Sequence, residues 1–230
     1  QCVFGHGQFN HIVGQAFNST MTATITKTGL STSPDSATGS NDGDIVVRPL
    51  SNDFGTGLRA ANLALCGGSD VSPTCTQTTV TEAGKGTWEL DSSTGDVTFT
   101  PVASYVGSAG PITYSIVDQV GERKTSTLSV TVTALAVPNT PDLAAASDSG
   151  DSSTDNITND PTPIITVGGA TSGNTVTVTA SKAGSADVTC TFTASNSDTS
   201  CDLGTLTDGV WSIVSKQTTS GGVSSGDSAG

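Results

Sequence analysis

Carboxylates crowd one short stretch of this sequence, and carboxylates are the side chains best suited to binding a hard cation. The stretch 147–163 reads SDSGDSSTDNITNDPTP, and the aspartates in and just before it are Asp142, Asp148, Asp151, Asp155 and Asp160. No Lys or Arg occurs from 125 to 181, so no neighbouring side chain in the sequence can neutralise them. Two interpretations stay open: a flexible, solvated acidic linker, or a site for a cation that is not part of the protein.

Five cysteines supply a second chemistry, the formation of disulfides. Cys66 and Cys75 flank a short, turn-rich segment, and so do Cys190 and Cys201. Such spacing suits a disulfide that closes a hairpin or a loop, so we expect two local disulfides and an oxidising compartment. Cys2 is left over, and it could pair with another chain, carry a modification or stay free.

The remaining reactive side chains do not form a catalytic pattern. Cys2, His6 and His11 are soft metal ligands near each other, but a transition-metal site needs three or four ligands in fixed geometry. A structural or interface role is therefore favoured for them. Residues 222–226 match Gly-x-Ser-x-Gly, yet no His follows residue 11, and a nucleophile elbow needs one downstream. We find no acid–base pair or phosphate-binding loop and expect no enzyme.

The charge balance restricts the partners of this chain. Acidic residues outnumber basic ones 21 to 8, which gives a net charge of −13. This balance argues against nucleic acid, whose phosphates require clustered Lys and Arg, and against an anionic membrane surface. No run of apolar residues is long enough to span a membrane. The chain opens at Gln1 with neither an initiator Met nor a leader sequence, and we expect a mature or excised fragment.

The elements that position these residues are expected to be β-strands. Thr, Ser, Gly, Val and Asp dominate, and no long stretch places apolar residues at helical spacing. In STLSVTVTAL, the apolar Leu128, Val130 and Val132 alternate with Ser and Thr, as in a strand with one buried face. Similar short strands separated by turn signals occur from 44 to 133 and again after 163. The sequence therefore predicts an all-β chain of two tandem Ig-like β-sandwiches.

Composition shifts divide the chain into four parts. Residues 1–40 form an N-terminal segment, 41–135 the first sandwich, 136–142 a Pro-containing linker and 143–230 the second sandwich. The linker AVPNTPD has two prolines in four residues, which stiffen it and interrupt a strand ladder. The last fourteen residues are turn-rich with no strand pattern, so we expect the second sandwich to lack its last strand.

Two stretches resemble known families. VVRPLSNDFGTGLRAANLAL, followed by residues 84–133, looks like a CshA-type fibril repeat of bacterial surface adhesins. The residues that carry this resemblance are Asn52, Asp53, Gly55, Gly57, Gly86, Thr87, Trp88, Thr94, Gly95, Val97, Phe99, Pro101 and Tyr114. PDLAAASDSGDSSTDNITNDPTPIITVGG resembles the opening of the bacterial Ig-like repeats that stand in tandem in large biofilm adhesins.

The second resemblance implies a set of calcium ligands. In those repeats, the joint between neighbouring domains binds calcium through the early aspartates, and Asp142, Asp148, Asp151 and Asp155 occupy the matching positions here. Calcium takes roughly six to eight oxygen ligands from flexible carboxylates and carbonyls. The resemblance therefore favours calcium at the interdomain joint over an empty acidic linker, and a cation bound there would stiffen the chain.

Two functions of different classes are consistent with these features. The first is a non-enzymatic structural or adhesive module of a bacterial surface adhesin or fibril, secreted to the cell surface or extracellular matrix. Its partners would be neighbouring repeats, copies of itself, and a host or matrix ligand.

The second function is a self-assembling extracellular filament subunit. A sandwich without its last strand exposes an unpaired edge, and a strand from another copy can fill that edge. The alternating Met21, Ala23 and Ile25 mark the expected donor strand. A third option is that residues 1–40 form a ligand-binding tip on the first sandwich.

Overall fold

The regular structure of the chain is built from β-sheets. The computed structural model describes residues 29–196 and 199–230. These residues form fourteen strands and two 3-10 turns, Pro49–Ser51 and Ala60–Asn62. The strands form four sheets, two in each of two domains, which confirms the predicted all-β class. Within this part of the chain, no helix is long and apolar enough to cross a membrane.

The first domain is a pair of four-stranded sheets. One sheet has the spatial order β1 (Asp35–Ser40), β8 (Arg123–Thr133), β7 (Gly107–Val117) and β3 (Leu63–Leu65). The other has the order β2 (Ile45–Val47), β6 (Val97–Pro101), β5 (Gly86–Leu90) and β4 (Thr79–Glu82). Neighbouring strands are antiparallel, except that β1 runs parallel to β8.

Alternating apolar residues place one continuous core between these two sheets. Leu128, Val130 and Val132 of β8 are buried, as their alternation predicts. Trp88 is completely buried, and its ring centroid lies 4.7 Å from that of Phe99. A buried indole also needs an acceptor for its N–H, and Trp88 Nε1 donates to Glu82 Oε2 at 3.2 Å.

The first domain begins earlier than the predicted boundary at residue 41. β1 lies within the segment 1–40, which we expected to be an N-terminal extension, and it pairs with β8 along its whole length. Leu30 is also buried in the core of this domain. The boundary was misplaced because DSATGS contains no large apolar residue, so no alternation marks it as a strand.

The second domain is smaller, with two three-stranded sheets. One has the order β13 (Ser200–Asp202), β10 (Ile164–Thr166) and β9 (Asp142–Leu143). The other has the order β12 (Val188–Thr193), β11 (Thr175–Ser181) and β14 (Ser212–Thr218). Asp142 therefore lies in the first strand of this domain rather than in the linker. The buried core residues are Ile165, Val167, Val176, Val178, Ala180, Ala194 and Leu203.

The C-terminal tail lies beside β14, where a last strand would be. The backbone N–H of Ser225 donates to Gln217 O at 2.9 Å, and that of Ser228 donates to Ser215 O at 2.8 Å. In return, the Ser225 and Ser228 hydroxyls accept from the N–H groups of Gln217 and Ser215. No regular strand follows β14 in the described residues, yet the tail covers part of its edge.

Truncating Trp88 should destabilise the first domain strongly. Trp88→Ala leaves a cavity in a closed core and should lower the free energy of unfolding by about 3–5 kcal/mol. Trp211→Ala is the matched control: Trp211 is only partly buried, so its loss should be smaller. Denaturant unfolding followed by circular dichroism measures both, and an equal or smaller loss for Trp88→Ala would contradict this description of the core.

Candidate functional site

The predicted cation ligands lie in and beside the loop that joins β9 to β10, residues 144–163, which we call the acidic loop. Hydrogen bonds between its two halves hold this loop together. Ser147 Oγ donates to Asp160 Oδ2 at 3.0 Å, and Thr158 Oγ1 donates to Ser147 O. The bonds from the Thr162 backbone and from Ser147 lower the pKa of Asp160. The loop is therefore folded rather than a random linker.

The four predicted calcium ligands have different environments. Asp148 is 4% exposed, and its Oδ1 is buried without a hydrogen-bond partner. Its Oδ2 lies 3.4 Å from the backbone N of Asn156, which donates to it. Asp142, Asp151 and Asp155 are exposed. No three His, Cys, Asp or Glu side chains among residues 29–196 and 199–230 lie close enough to hold a metal ion, so this structure does not bring the four together.

The acidic loop and the first residues of the linker lie near opposite ends of β10. The linker runs beside β14, where Gln217 Nε2 donates to Ala136 O at 2.7 Å and Ser215 Oγ donates to Asn139 O at 3.1 Å. The N–H of Asn139 donates to Gly168 O, just after β10, whereas the acidic loop leads into the beginning of β10. These contacts therefore do not place the loop beside residues 136–139, and calcium at the joint between the two domains stays a prediction.

Asp148 has the chemistry that a hard cation requires. A buried carboxylate with an unsatisfied oxygen carries a large desolvation cost, and calcium compensates that cost by direct coordination. The loop also offers backbone carbonyls and the exposed carboxylates of Asp151 and Asp155. The fit is therefore partial: one ligand is in a buried position, and the others must move toward it.

Both expected disulfides are present in the structure. Cys66–Cys75 closes the loop that follows β3. Cys190–Cys201 links β12 to β13, which belong to different sheets of the second domain. This second disulfide therefore joins the two layers of the smaller sandwich and limits how far they can separate.

A groove of about 640 Å³ opens between β9 and the beginning of β14. Its lining is largely apolar and includes Leu143, Ile157, Pro163, Ile165, Trp211 and Ile213. Val210 at its margin is 91% exposed, and Ile157 is 65% exposed. Gly230 lies at the groove beside Ser212 and Val214, so the tail reaches the groove without filling it.

The first domain contains a cluster of buried polar groups that the sequence did not predict, although two of its members, Asp53 and Tyr114, are among the residues that carry the family resemblance. Asp35, Asp53 and Tyr114 are 9%, 6% and 0% exposed. Tyr114 Oη donates to Asp53 Oδ2 at 2.7 Å, and it lies 3.4 Å from Asp35 Oδ2. Asp53 Oδ1 also accepts from the backbone N–H of Ser33 at 2.9 Å. No local motif could reveal this cluster, because its members come from β1, the loop 52–58 and β7.

Burial and like charge raise the pKa values of both carboxyls in this cluster. Desolvation is the larger cause for Asp35, and the negative charge of Asp53 adds to it, which raises the pKa of Asp35 from 3.8 to about 6. Desolvation also raises the pKa of Asp53, although hydrogen bonds from Tyr114 and Ser33 oppose it. Desolvation and the neighbouring carboxylates raise the pKa of the Tyr114 phenol, so it stays protonated.

Several predicted residues lie outside the part of the chain that the structure describes. They are the donor-strand residues Met21, Ala23 and Ile25, and the soft-ligand candidates Cys2, His6 and His11. Their assignments remain predictions.

Two protein-family models match successive parts of this chain. Residues 52–132 match the model described as the surface adhesin CshA repetitive domain. Residues 134–229 match the model of a bacterial Ig-like domain. The two matches occur in the order that the sequence resemblance predicted, and that prediction is confirmed.

Comparisons with individual proteins are less informative. No curated protein matches this chain. Among solved structures, the chicken CNTN1 FN1–FN3 domains are 10% identical, with a TM-score of 0.29, covering 89% of this chain and 61% of that one. The human Desmocollin-1 ectodomain is 12% identical, with a TM-score of 0.31, covering 90% of this chain and 37% of that one. This chain thus spans less than two thirds of either protein.

Proposed function

We propose that this chain, a surface adhesin CshA repetitive domain followed by a bacterial Ig-like domain, is a structural and adhesive module of a bacterial surface adhesin. Domains of these two families are typically non-enzymatic structural modules, and a surface adhesin acts outside the cell. The module would contact neighbouring repeats or other copies of itself, and a host or matrix ligand.

The parallel pairing of β1 with β8 carries this proposal. Among the described residues, these are the first and last strands of the first domain, paired from Asp35 with Leu128 to Ser40 with Thr133. Tension along the chain pulls the start of β1 and the end of β8 in opposite directions. The interstrand hydrogen bonds are then loaded in shear and must break together. Such a geometry suits a module that transmits force between a cell and a surface.

We further propose that the acidic loop binds calcium. The buried Asp148 carboxylate, whose Oδ1 has no partner, supports a cation there because an uncompensated buried charge is costly. Asp151 and Asp155 on the same loop, and Asp142 in β9, could complete the ligand set. Calcium bound there would stiffen the joint that the second domain makes with a neighbouring domain.

A second candidate function is a filament subunit that assembles by strand donation. The apolar groove beside the beginning of β14 favours it, since an extended strand from a second copy could bury Ile157, Trp211 and Ile213 there. The predicted donor segment has matching chemistry. Residues 1–28 contain Lys27 and no Asp or Glu, whereas the acidic loop contains no cation.

Pulling direction should decide the mechanical strength of the first domain. In single-molecule force spectroscopy, the chain tethered at its N- and C-termini should unfold the first domain at a high force. A tether through Asp42→Cys, in a Cys2→Ser background, starts from the turn after β1 and should peel the strands apart at a lower force. Equal unfolding forces in the two geometries would contradict the proposed shear resistance.

Calcium should stabilise the second domain through Asp148. Millimolar calcium should raise its melting temperature relative to chelator, and Asp148→Asn should abolish that rise. Because Asp148→Asn changes a buried group, the exposed double variant Asp151→Asn with Asp155→Asn provides an independent test and should weaken the rise. Asp187→Asn, an exposed acid elsewhere in this domain, is the control. Identical melting temperatures of the wild type in calcium and in chelator, measured by calorimetry, would refute the site.

Deleting residues 1–28 distinguishes the two functions. A filament subunit should lose concentration-dependent assembly on deletion, whereas a spacer module should remain monomeric with or without the segment. Size-exclusion chromatography with light scattering measures the mass. Ile213→Lys, which puts a charge in the groove, should block assembly to the same extent, and assembly that survives both changes would exclude strand donation.

A further inference from the structure

The cluster of Asp35, Asp53 and Tyr114 joins three separate parts of the first domain. Asp35 begins β1, Asp53 belongs to the loop 52–58, and Tyr114 lies in β7. The same loop is tied to the chain before β1 by two backbone bonds, from Ser31 N to Phe54 O at 2.7 Å and from Phe54 N to Ser31 O at 2.9 Å. The cluster therefore lies where the chain enters the domain.

Three acceptors, Ser33 O, Asp35 Oδ2 and Asp53 Oδ2, lie within hydrogen-bond distance of the phenol oxygen, which has one hydrogen to donate. Tyr114 Oη has one hydrogen, and Asp53 Oδ2 at 2.7 Å is its nearest acceptor. Asp35 Oδ2 at 3.4 Å then faces the phenol oxygen without a hydrogen between them. A neutral Asp35 carboxyl can supply that hydrogen, which gives a continuous chain from Asp35 to Tyr114 to Asp53. When Asp35 is ionised, two buried carboxylates compete for the single phenol hydrogen, although the Ser33 N–H still donates to Asp53 and the Asn52 side chain still bonds Asp35.

We propose that Asp35, Asp53 and Tyr114 form a proton-dependent clamp that fastens the beginning of β1 to the first domain. With one proton shared by the two acids, the cluster is bonded throughout and holds a single negative charge. When that proton is lost, repulsion between the carboxylates loosens the entry of β1. The clamp goes beyond the proposed structural role, because it makes the strength of the module depend on pH.

The groups that face the clamp do not replace the proton. β1 contributes Asp35, and the loop 52–58 contributes Asp53 and the Asn52 side chain, which hydrogen-bonds Asp35. From β7 comes Tyr114, and from β8 Ser126, which hydrogen-bonds the phenol. The nearest charged positions along β8 are the exposed Lys124 and Arg123, and neither is among the groups that shift the pKa of Asp35.

The pH dependence has a defined direction. The pKa of Asp35 rises on folding from 3.8 to about 6, so the folded state binds the proton more tightly than the unfolded state. The stabilisation is complete below pH 3.8 and declines as the pH rises to about 6. Over that window, the equilibrium constant for folding of this domain should fall by up to about 100-fold.

The test compares thermal unfolding of the whole chain between pH 4.5 and 7.5. A Trp211→Phe background makes the tryptophan fluorescence report on Trp88, and therefore on the first domain. In this background, the melting temperature should fall as the pH rises. Asp35→Asn, a neutral mimic of the protonated acid, should weaken that dependence and raise the melting temperature at pH 7.5. Asp42→Asn, an exposed acid in the same domain, should behave like the parent.

Two further measurements test the clamp even if a variant fails to fold. Carboxyl carbon NMR of the wild type should show one aspartate that titrates near pH 6, and its signal should be absent from Asp35→Asn. If every aspartate of the wild type titrates below pH 5, the clamp is wrong, whether or not the variant folds. A pH dependence in Asp35→Asn as large as in the parent would also overturn it. A third result would overturn the clamp as well: calcium at pH 7.5 raises the melting temperature of the first domain, and the rise disappears in Asp35→Asn. A cation, and not a proton, would then neutralise the two carboxylates.

Discussion

The parallel pairing of β1 with β8 is the contact on which the first domain depends. β1 reads DSATGS and contributes no large apolar side chain to the core. Its position in the sheet therefore depends on backbone hydrogen bonds to β8 and on polar contacts at its two ends. At its beginning stands the buried Asp35. At its far end, the N–H of Asn41 donates to Thr133 O at 2.8 Å, and Asn41 Oδ1 accepts from Leu135 N at 3.0 Å. Polar side chains thus pin both ends of a strand that hydrophobic burial alone would not hold.

In the second domain, polar groups also hold a segment at the edge of a sheet, but the pairing there is less complete. Its last position is taken by a serine-rich tail, in which hydroxyls of Ser225 and Ser228 substitute for part of a regular ladder. The pairing ends near Gly230, and the apolar groove begins there. The same end of the domain carries the acidic loop with its buried Asp148. The apolar groove and the acidic loop therefore lie at the same end of the second domain.

Local patterns in the sequence predict those features that adjacent residues determine. The alternation of Leu128, Val130 and Val132 identified a half-buried strand, and short turn-rich spacings identified both cysteine pairs. β1 escaped prediction because its small residues carry no alternation, and its strand state comes from a partner about ninety positions away. The clamp escaped for the same reason: its hydrogen bonds join residues 61 and 79 positions apart. The composition of the acidic loop indicated a cation, but only the fold distinguishes the buried Asp148 from the exposed Asp142, Asp151 and Asp155.

Amide hydrogen exchange along β1 tests this account most directly. If β1 is an integral strand whose ends are pinned, its hydrogen-bonded amides should exchange as slowly as those of β5 and β6 at pH 5, through unfolding of the whole first domain. Exchange of the β1 amides that is orders of magnitude faster than in β5 and β6 would mean that the strand detaches while the core stays folded. Neither the proposed resistance to tension nor the clamp at its beginning would then hold.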